Sequence, residues 1–493
     1  MNHLIKHQIL YSKIVGVAAE MYEFMRHTAT SPAITEQESF STGILTNKLR
    51  LAAQSQGEPS HLFGLRDSVR SLFDYFSYDI QEGDVLVVAD PYSGGTDPQT
   101  ITLAIPLFYD GEIILIPSVR APLIDLAGEY PGDLHPEATD IWQQSIRVTP
   151  IKLYRAGILQ KDIFRFLTKN SRTPKSIQAD IKAMIAVCRR AGKSIENILN
   201  RYDRNTLEQA IDAMLYYSRN RMEVHISGLS QDLYQYSINR NTTEFGNLKI
   251  EVVIKIIDGC LWFDFEGSSK CSESAINLTQ SGASAFATLP FLLGPLDELT
   301  INEGVLEPFQ FVFPDNSILN PQYPAATNLG TRVTGQLVTE AVTGALKNSI
   351  DGTQFGSQLH GNKPAACLYN PIGSSRTNIP VVLNPGFSIS AQGWGSPLIE
   401  GRQLLPSAEE IEIRDGIHIS ARELNNRNQM CVIMINNRGP LEGNFFLLNN
   451  ECKKSGQIKI DGATISGANS VCVPIPYGTS IEFTYPTFIE PSL

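Results

Sequence analysis

The sequence predicts an α+β fold: a multi-layer, mixed α/β N-terminal half with a helical insert, then a β-rich C-terminal half. Three observations carry this. Apolar residues recur at three- and four-residue spacing near the start and again from about 161 to 228, the signature of amphipathic helices. After residue 245 the period changes to two, the signature of strands. The last hundred residues hold short β-like runs separated by Gly, Pro and Asn. A boundary near 230–245 follows, with residues 1–235 as one region and 236–493 as the second.

The elements follow in chain order. Ile14, Val17, Ala18, Met21, Phe24 and Met25 lie on one helical face. Residues 84–89 and 101–109 read as strands, and Asp110-Gly111 turns the chain into a further strand at 112–119. Pro174 suits the first turn of a helix. Ile177, Ile181, Met184, Ile185 and Cys188 then form one stripe, and Leu207, Ala210, Ile211, Met214 and Leu215 another. Both stripes read as core packing. Leu248, Ile250, Val252, Ile254 and Ile256 alternate up to Asp258-Gly259, which turns into CLWFDFEG as a β-hairpin. Residues 330–347 read as a helix.

Composition narrows the function. The chain has 493 residues and a net charge of −11. That charge argues against nucleic acid or an anionic membrane as partner. No apolar run reaches the length of a membrane span, and the N-terminus lacks the apolar core of a signal peptide. The seven cysteines are unpaired by spacing, and none precedes Cys188. They read as reduced thiols, and a cytoplasmic location is expected.

Known chemical motifs are missing. Gly192-Lys193-Ser194 resembles the end of a phosphate loop, but the required upstream glycine is Val187. These residues read as a helix terminus, and no ATP site is expected in this chain. Gly393 and Gly395 do not continue into a dinucleotide fingerprint. The eight histidines are scattered. Asp125, Glu129, Asp133, His135, Glu137 and Asp140 do cluster, and a histidine beside carboxylates is a candidate general base.

The most informative stretch is DPYSGGTDPQT (90–100), a loop between two strand-like runs. It resembles the N-D-P-Y-x-G-G-T-H-x-x-D loop of the B-type subunits of ATP-dependent hydantoinases, 5-oxoprolinases and caprolactamase. The large subunits of acetone and acetophenone carboxylases are related to these. Six further segments resemble the family in order: ATSPAITEQESFS, SHLFGLRDSV with His61, RAPLIDLAGEYPG, IWQQSIRVTPIKL, NSRTPKSIQADIKAMIA, and the pair FEGSSKCSESAIN with FPDNSILNPQYPAA. The resemblance covers about residues 10–350. Beyond it, the family's glycine-rich run is not recognisable.

The resemblance implies a shared reaction. An A-type partner uses ATP, with Mg, to phosphorylate a carbonyl oxygen, and the B-type subunit completes an amide hydrolysis or a carboxylation at a metal site. It also implies where that metal would bind. Carried over by position, the ligands fall on Ser39, Asp97, Thr100 and Pro122. Only Asp97 suits a divalent ion, and one carboxylate does not make a site. No metal is therefore expected in this chain. The candidate catalytic groups are Asp97, Arg120 and Asp125 by this resemblance, and His135 from the acidic cluster. Candidate substrate-binding positions are Asp90, Tyr92, Gly94, Gly95 and Thr96. The expected function is a B-type subunit acting on a cyclic amide or imide without the usual metal, in a hetero-oligomer with an A-type subunit. The alternatives are a non-catalytic scaffold subunit and a carboxylase subunit.

Overall fold

The computed structural model describes residues 3–346 except 36–37, 56, 124, 131, 133–134, 230–232, 243–244 and 293–298. Beyond 346 it describes 365–369, 381–383, 388–390, 393–395, 417–424, 429–437, 441–446, 457–464 and 469–486. The architecture is α+β.

The first sheet contains β1 (Ser41–Thr46), β2 (Leu51–Gln54), β3 (Val85–Ala89), β4 (Thr100–Ala104), β5 (Leu107–Tyr109), β6 (Glu112–Pro122), β7 (Val148–Arg155) and β8 (Ile158–Leu159). Their order is β2-β1-β6-β4-β3-β7-β8, with β5 pairing β6. All described pairs are antiparallel. The run VLVVA of β3 is apolar throughout because both faces of the sheet are covered. Val85, Val87 and Ala89 belong to one core, and Leu86 and Val88 to the other. Each of the Val and Leu side chains contributes about 1.5–3 kcal/mol.

The helices of this half are α1 (His3–Thr28), α2 (Pro32–Thr35), α3 (His61–Phe76), α4 (Ile141–Gln144), α5 (Lys161–Lys169), α6 (Pro174–Leu199) and α7 (Arg204–Ser227). On one face, α1 packs against the sheet, α6 and α7. Its stripe from Ile14 to Met25 joins that core. On the other face lies α3, through Leu62, Leu65, Val69 and Leu72. Pro174 opens α6 as expected.

The second sheet has the order β12-β11-β10-β9, from β9 (Leu233–Thr242), β10 (Gly246–Ile257), β11 (Cys260–Asp264) and β12 (Phe309–Val312). The turns at Asp110-Gly111 and Asp258-Gly259 both hold two consecutive residues at positive φ, as a two-residue hairpin requires. β12 runs parallel to β11 because the chain first crosses over through α8 (Gln280–Leu292) and α9 (Glu303–Leu306). Then α10 (Thr334–Leu346) packs on α8, β9 and β10. The described strands after residue 365 form three further sheets.

The segment before β12 closes the outer edge of the first sheet. On β2, the Leu51 N–H donates to the Glu303 carboxylate at 2.9 Å, and the Gln54 N–H to the Ile301 carbonyl at 3.0 Å. Glu303 also receives Arg66 at 3.0 Å and Arg70 at 2.9 Å.

Three expectations are corrected. The strand read over 101–109 is broken between β4 and β5, because Pro106 has no N–H to donate. Gly192-Lys193-Ser194 lies inside α6, not at its end. The Gly192 hydrogen faces Leu107, so even a methyl group there would find ordinary contact. The helix expected from 330 begins at Thr334, after a turn in which the Gly330 N–H donates to the Thr327 carbonyl. Among the described residues no helix is long and apolar enough to cross a membrane.

Candidate functional site

The loop 90–100 joins β3 to β4 and is anchored at both ends. At its start Asp90 is buried. Its two oxygens pair with Arg147 Nε at 3.0 Å and Nη2 at 2.9 Å. They also accept the Tyr92 N–H and the Ser93 hydroxyl. Such two-point charge-assisted pairing is strong and directional. At the middle of the loop Gly94 has φ +80°, and a Cβ there would lie 2.4 Å from the backbone carbon of Asp67 on α3. Only glycine fits.

Asp97 closes the loop from inside. Its Oδ1 accepts the Thr100 hydroxyl at 2.7 Å and the Gln99 N–H at 3.2 Å. Its Oδ2 accepts the Thr96 hydroxyl at 2.9 Å and lies 3.9 Å from Arg120 Nη2. Thr96 in turn accepts Arg120 Nη2 at 2.9 Å.

Arg120, a candidate catalytic group by resemblance, is not exposed in this site. It lies instead in the layer between the sheet and α3, 1 % exposed. Register explains the position. On β6 it stands between Ser41 of β1 and Thr102 of β4, facing Gly64 and Ser68 of α3. Its Nη1 donates to Thr102 at 2.9 Å and to Ser68 at 3.3 Å. Burial pushes its pKa down to about 10, opposed by Asp97 and Asp67. It still carries its charge at neutral pH. Neighbouring His61 is also buried, and burial with the Arg120 charge holds its pKa well below the usual histidine value.

The same registers gather the four positions where the resemblance places metal ligands. Thr100 pairs with Pro122 across β4 and β6, and Asp97 bonds Thr100. Ser39 lies two residues ahead of Ser41, which pairs with Arg120. Strand register thus brings Asp97, Thr100 and Pro122 together with the lead-in to β1 that carries Ser39, and these donors do not suit a divalent ion. Pro122 offers no donor, and Asp97 already accepts three hydrogen bonds and faces a guanidinium. Among the described residues no three His, Cys, Asp or Glu side chains gather in a metal-binding group.

The acidic cluster after Arg120 does not hold together as a site. Asp125 accepts the N–H and Nη1 of Arg172 at 2.6 and 2.7 Å. Asp140 caps α4. Glu137 is exposed, and Asp133 lies outside the described residues. What remains is His135, buried, with Nε2 3.2 Å from Glu129 Oε2 and its ring against Tyr130. Its Nδ1 has no partner among the described residues.

Sequence reasoning overlooked the residues that hold these segments in place. Gln99 accepts the Asp125 N–H and donates to the Gly132 and Gln144 carbonyls. Arg147 and Arg172 serve Asp90 and Asp125. Both arginines lie within segments that resemble the family, so the signal was present. Which carboxylate each would meet is a matter of tertiary structure.

The comparisons with known proteins agree with this architecture. The family model described as Hydantoinase B/oxoprolinase matches residues 3–424, farther than the sequence resemblance reached. An uncharacterized protein of Methanocaldococcus jannaschii is 28% identical over 343 residues, covering 69% of this chain and 60% of its own. A putative B-type subunit of a D-/L-hydantoinase from a Pseudomonas strain is 24% identical, with 65% of this chain and 57% of its own covered. For 5-oxoprolinase of Dictyostelium discoideum the identity is 24%, with 71% and 28% covered. The chain thus spans less than two thirds of the length of these relatives. In structure, it is similar to the ATP-dependent caprolactamase of Pseudomonas jessenii, with a TM-score of 0.87, 17% identity and 98% and 90% of the two chains covered. Nucleotide-free acetone carboxylase gives 0.85, at 13% identity and 98% and 75% coverage. With the family model spanning most of its length and the fold shared with two such enzymes, the chain belongs to the hydantoinase B/oxoprolinase family.

Proposed function

We propose that this chain is a B-type subunit of an ATP-dependent assembly acting on a cyclic amide, that an A-type subunit uses the ATP and Mg, and that this chain supports the assembly without a divalent ion of its own. One observation carries the supporting role. Ser39, Asp97, Thr100 and Pro122 stand where the resemblance points to ligands, yet the single carboxylate among them is taken up in holding the loop. Arg120 likewise gives both Nη atoms to Thr96, Thr102 and Ser68, while its Nε has no partner among the described residues. Groups committed to the fold are poor candidates for proton transfer or for stabilising a reacting oxyanion.

A second reading, direct catalysis, has His135 in its favour. A buried imidazole with one nitrogen on Glu129 and the other unpartnered is the arrangement of a positioned base. Ring opening would then need His135 Nδ1 to take a proton from water attacking an amide activated by the partner. The likeness to acetone carboxylase keeps carboxylation within this second reading.

Co-expression with an A-type subunit separates the two. The supporting role expects co-purification, and ATP-dependent ring opening only when a B-type subunit with intact ligands is added, unchanged by His135→Gln. Turnover by this chain and the A-type subunit alone, lost in His135→Gln, overturns it in favour of catalysis. Failure to co-purify with either kind of subunit overturns both.

A further inference from the structure

A cavity of about 640 Å³ lies between α3, α8, α9 and β12. The cavity adjoins the 90–100 loop, whose Gly94 packs on the Asp67 backbone and whose Gly95 carbonyl accepts the Thr279 hydroxyl beside Gln280, but the two are lined by different residues of α3. Gly64 and Ser68 face Arg120, whereas Phe63, Arg66 and Asp67 face the cavity. Its size is that of a small-molecule site, and nothing in the reaction sketched above uses it.

We infer that this cavity binds a small neutral molecule that presents an amide edge, a C=O beside an N–H. The first reason is the free edge of β12. Leu261 N–H donates to the Pro308 carbonyl, and Phe265 N–H to the Val312 carbonyl. Alternation along the strand then turns the backbone groups of Pro308, Gln310 and Val312 toward β11, and those of Phe309 and Phe311 away from it. Among the described residues no partner takes the outward groups of Phe309 and Phe311. Residues of both faces of β12, Phe309 and Phe311 on one and Gln310 and Val312 on the other, line the cavity. It therefore runs along the edge of the strand, where an amide can pair as a further strand would.

The second reason is charge. The cavity is lined by Asp67, Glu303 and Glu307 but by a single arginine. Each carboxylate is nevertheless matched. Arg66 pairs with Asp67 at 2.8 Å and Glu303 at 3.0 Å, Arg70 adds to Glu303, and Arg50 and Arg219 reach Glu307 at 3.2 and 3.4 Å. No charge is left over to meet an ion. The lining groups without a partner among the described residues are neutral: the Gln280 amide and the Ser284 hydroxyl. The Phe63 and Phe311 rings, 5.7 Å apart, supply an apolar wall for the body of the ligand.

This inference goes beyond the assembly reading and does not depend on it. The test uses the full chain alone, without ATP or partner. Calorimetry is run with hydantoin and ε-caprolactam as neutral amide probes, N-methylcaprolactam as a probe lacking the N–H, and glutarate as an anion. The expected result is saturable binding of at least one neutral amide, at least tenfold weaker for its N-methyl form where the lactam binds, and none of glutarate. Ser284→Phe, which fills the cavity, is expected to abolish binding. Phe311→Pro removes one outward N–H at an edge where proline is tolerated. It is expected to weaken binding at least tenfold more than Phe311→Ala, which removes only the ring. Absence of binding by the folded chain overturns the inference. So does binding that survives both Ser284→Phe and Phe311→Pro, or that prefers glutarate.

Discussion

Ala127 shows most clearly what a single residue records about this chain. In the family segment that RAPLIDLAGEYPG resembles, this position is a glycine. Its φ is +54°, in a segment where Asp125 is also at +70°. The backbone has kept a glycine conformation under a side chain that disfavours it, at a cost of about 1–2 kcal/mol. Arg172 holds the segment there by binding Asp125 and the Gly128 carbonyl. Ala127→Gly is therefore expected to stabilise the protein by about 0.5–1 kcal/mol, the strain relieved less the extra freedom of the unfolded chain. Urea denaturation measures this. A lower midpoint in the variant would mean that the Ala127 methyl group makes contacts worth more than the strain.

Among the elements, α9 is one turn long and still joins distant parts of the chain. Asn302 caps it, its side chain accepting the Val305 N–H. Glu303, buried in that turn, collects Leu51 from β2 and Arg66 and Arg70 from α3. Glu303→Ala leaves a mostly buried Arg66 and a strand N–H without their acceptor. Removing one member of such a group costs about 3–5 kcal/mol, and that loss is expected in urea denaturation. A loss below about 1 kcal/mol would show that Asp67 alone satisfies Arg66.

This joint also marks the limit of what the sequence reveals. The amphipathic stripes of α1, α6 and α7 and the alternation of β10 were legible, because periodicity is written locally. The family was legible, because seven segments in order resembled it. The partners of Asp90, Asp125 and Glu303 were not. They come from residues 57, 47 and 252 positions away, and no local pattern encodes such pairings. Arg120 illustrates the same limit. The resemblance made it a candidate catalytic group, but its place on the inner face of β6 was set by strand register.

At the scale of the whole molecule, the four positions onto which the resemblance carries metal ligands make a strong demand. Positions from the lead-in to β1, the 90–100 loop and the ends of β4 and β6 meet only if the sheet order and the β1–β6 and β4–β6 registers hold. The combined variant Ser39→Asp, Asp97→His, Thr100→Asp and Pro122→His restores the residue types that the resemblance calls for. It is expected to bind about one equivalent of Mn²⁺ or Zn²⁺ per chain, read by elemental analysis after gel filtration, while the parent chain binds none tightly. A folded variant that takes up no metal would show that the positions themselves have shifted. Tight metal in the parent would show that other residues have taken over the site.

The bonds from residues 301 and 303 to β2 also bear on how the chain is made. β2 is the outer strand of the first sheet, and its two outward N–H groups wait for acceptors translated roughly 250 residues later. At ribosomal speeds of about 5–20 residues per second, that interval is on the order of 10–50 seconds. Throughout it, a nascent chain with most of its first sheet already made exposes an uncapped strand to any other chain nearby. Synthesis is thus the period of greatest risk for this fold, and holdase chaperones on the ribosome would engage it most strongly before residue 303 emerges.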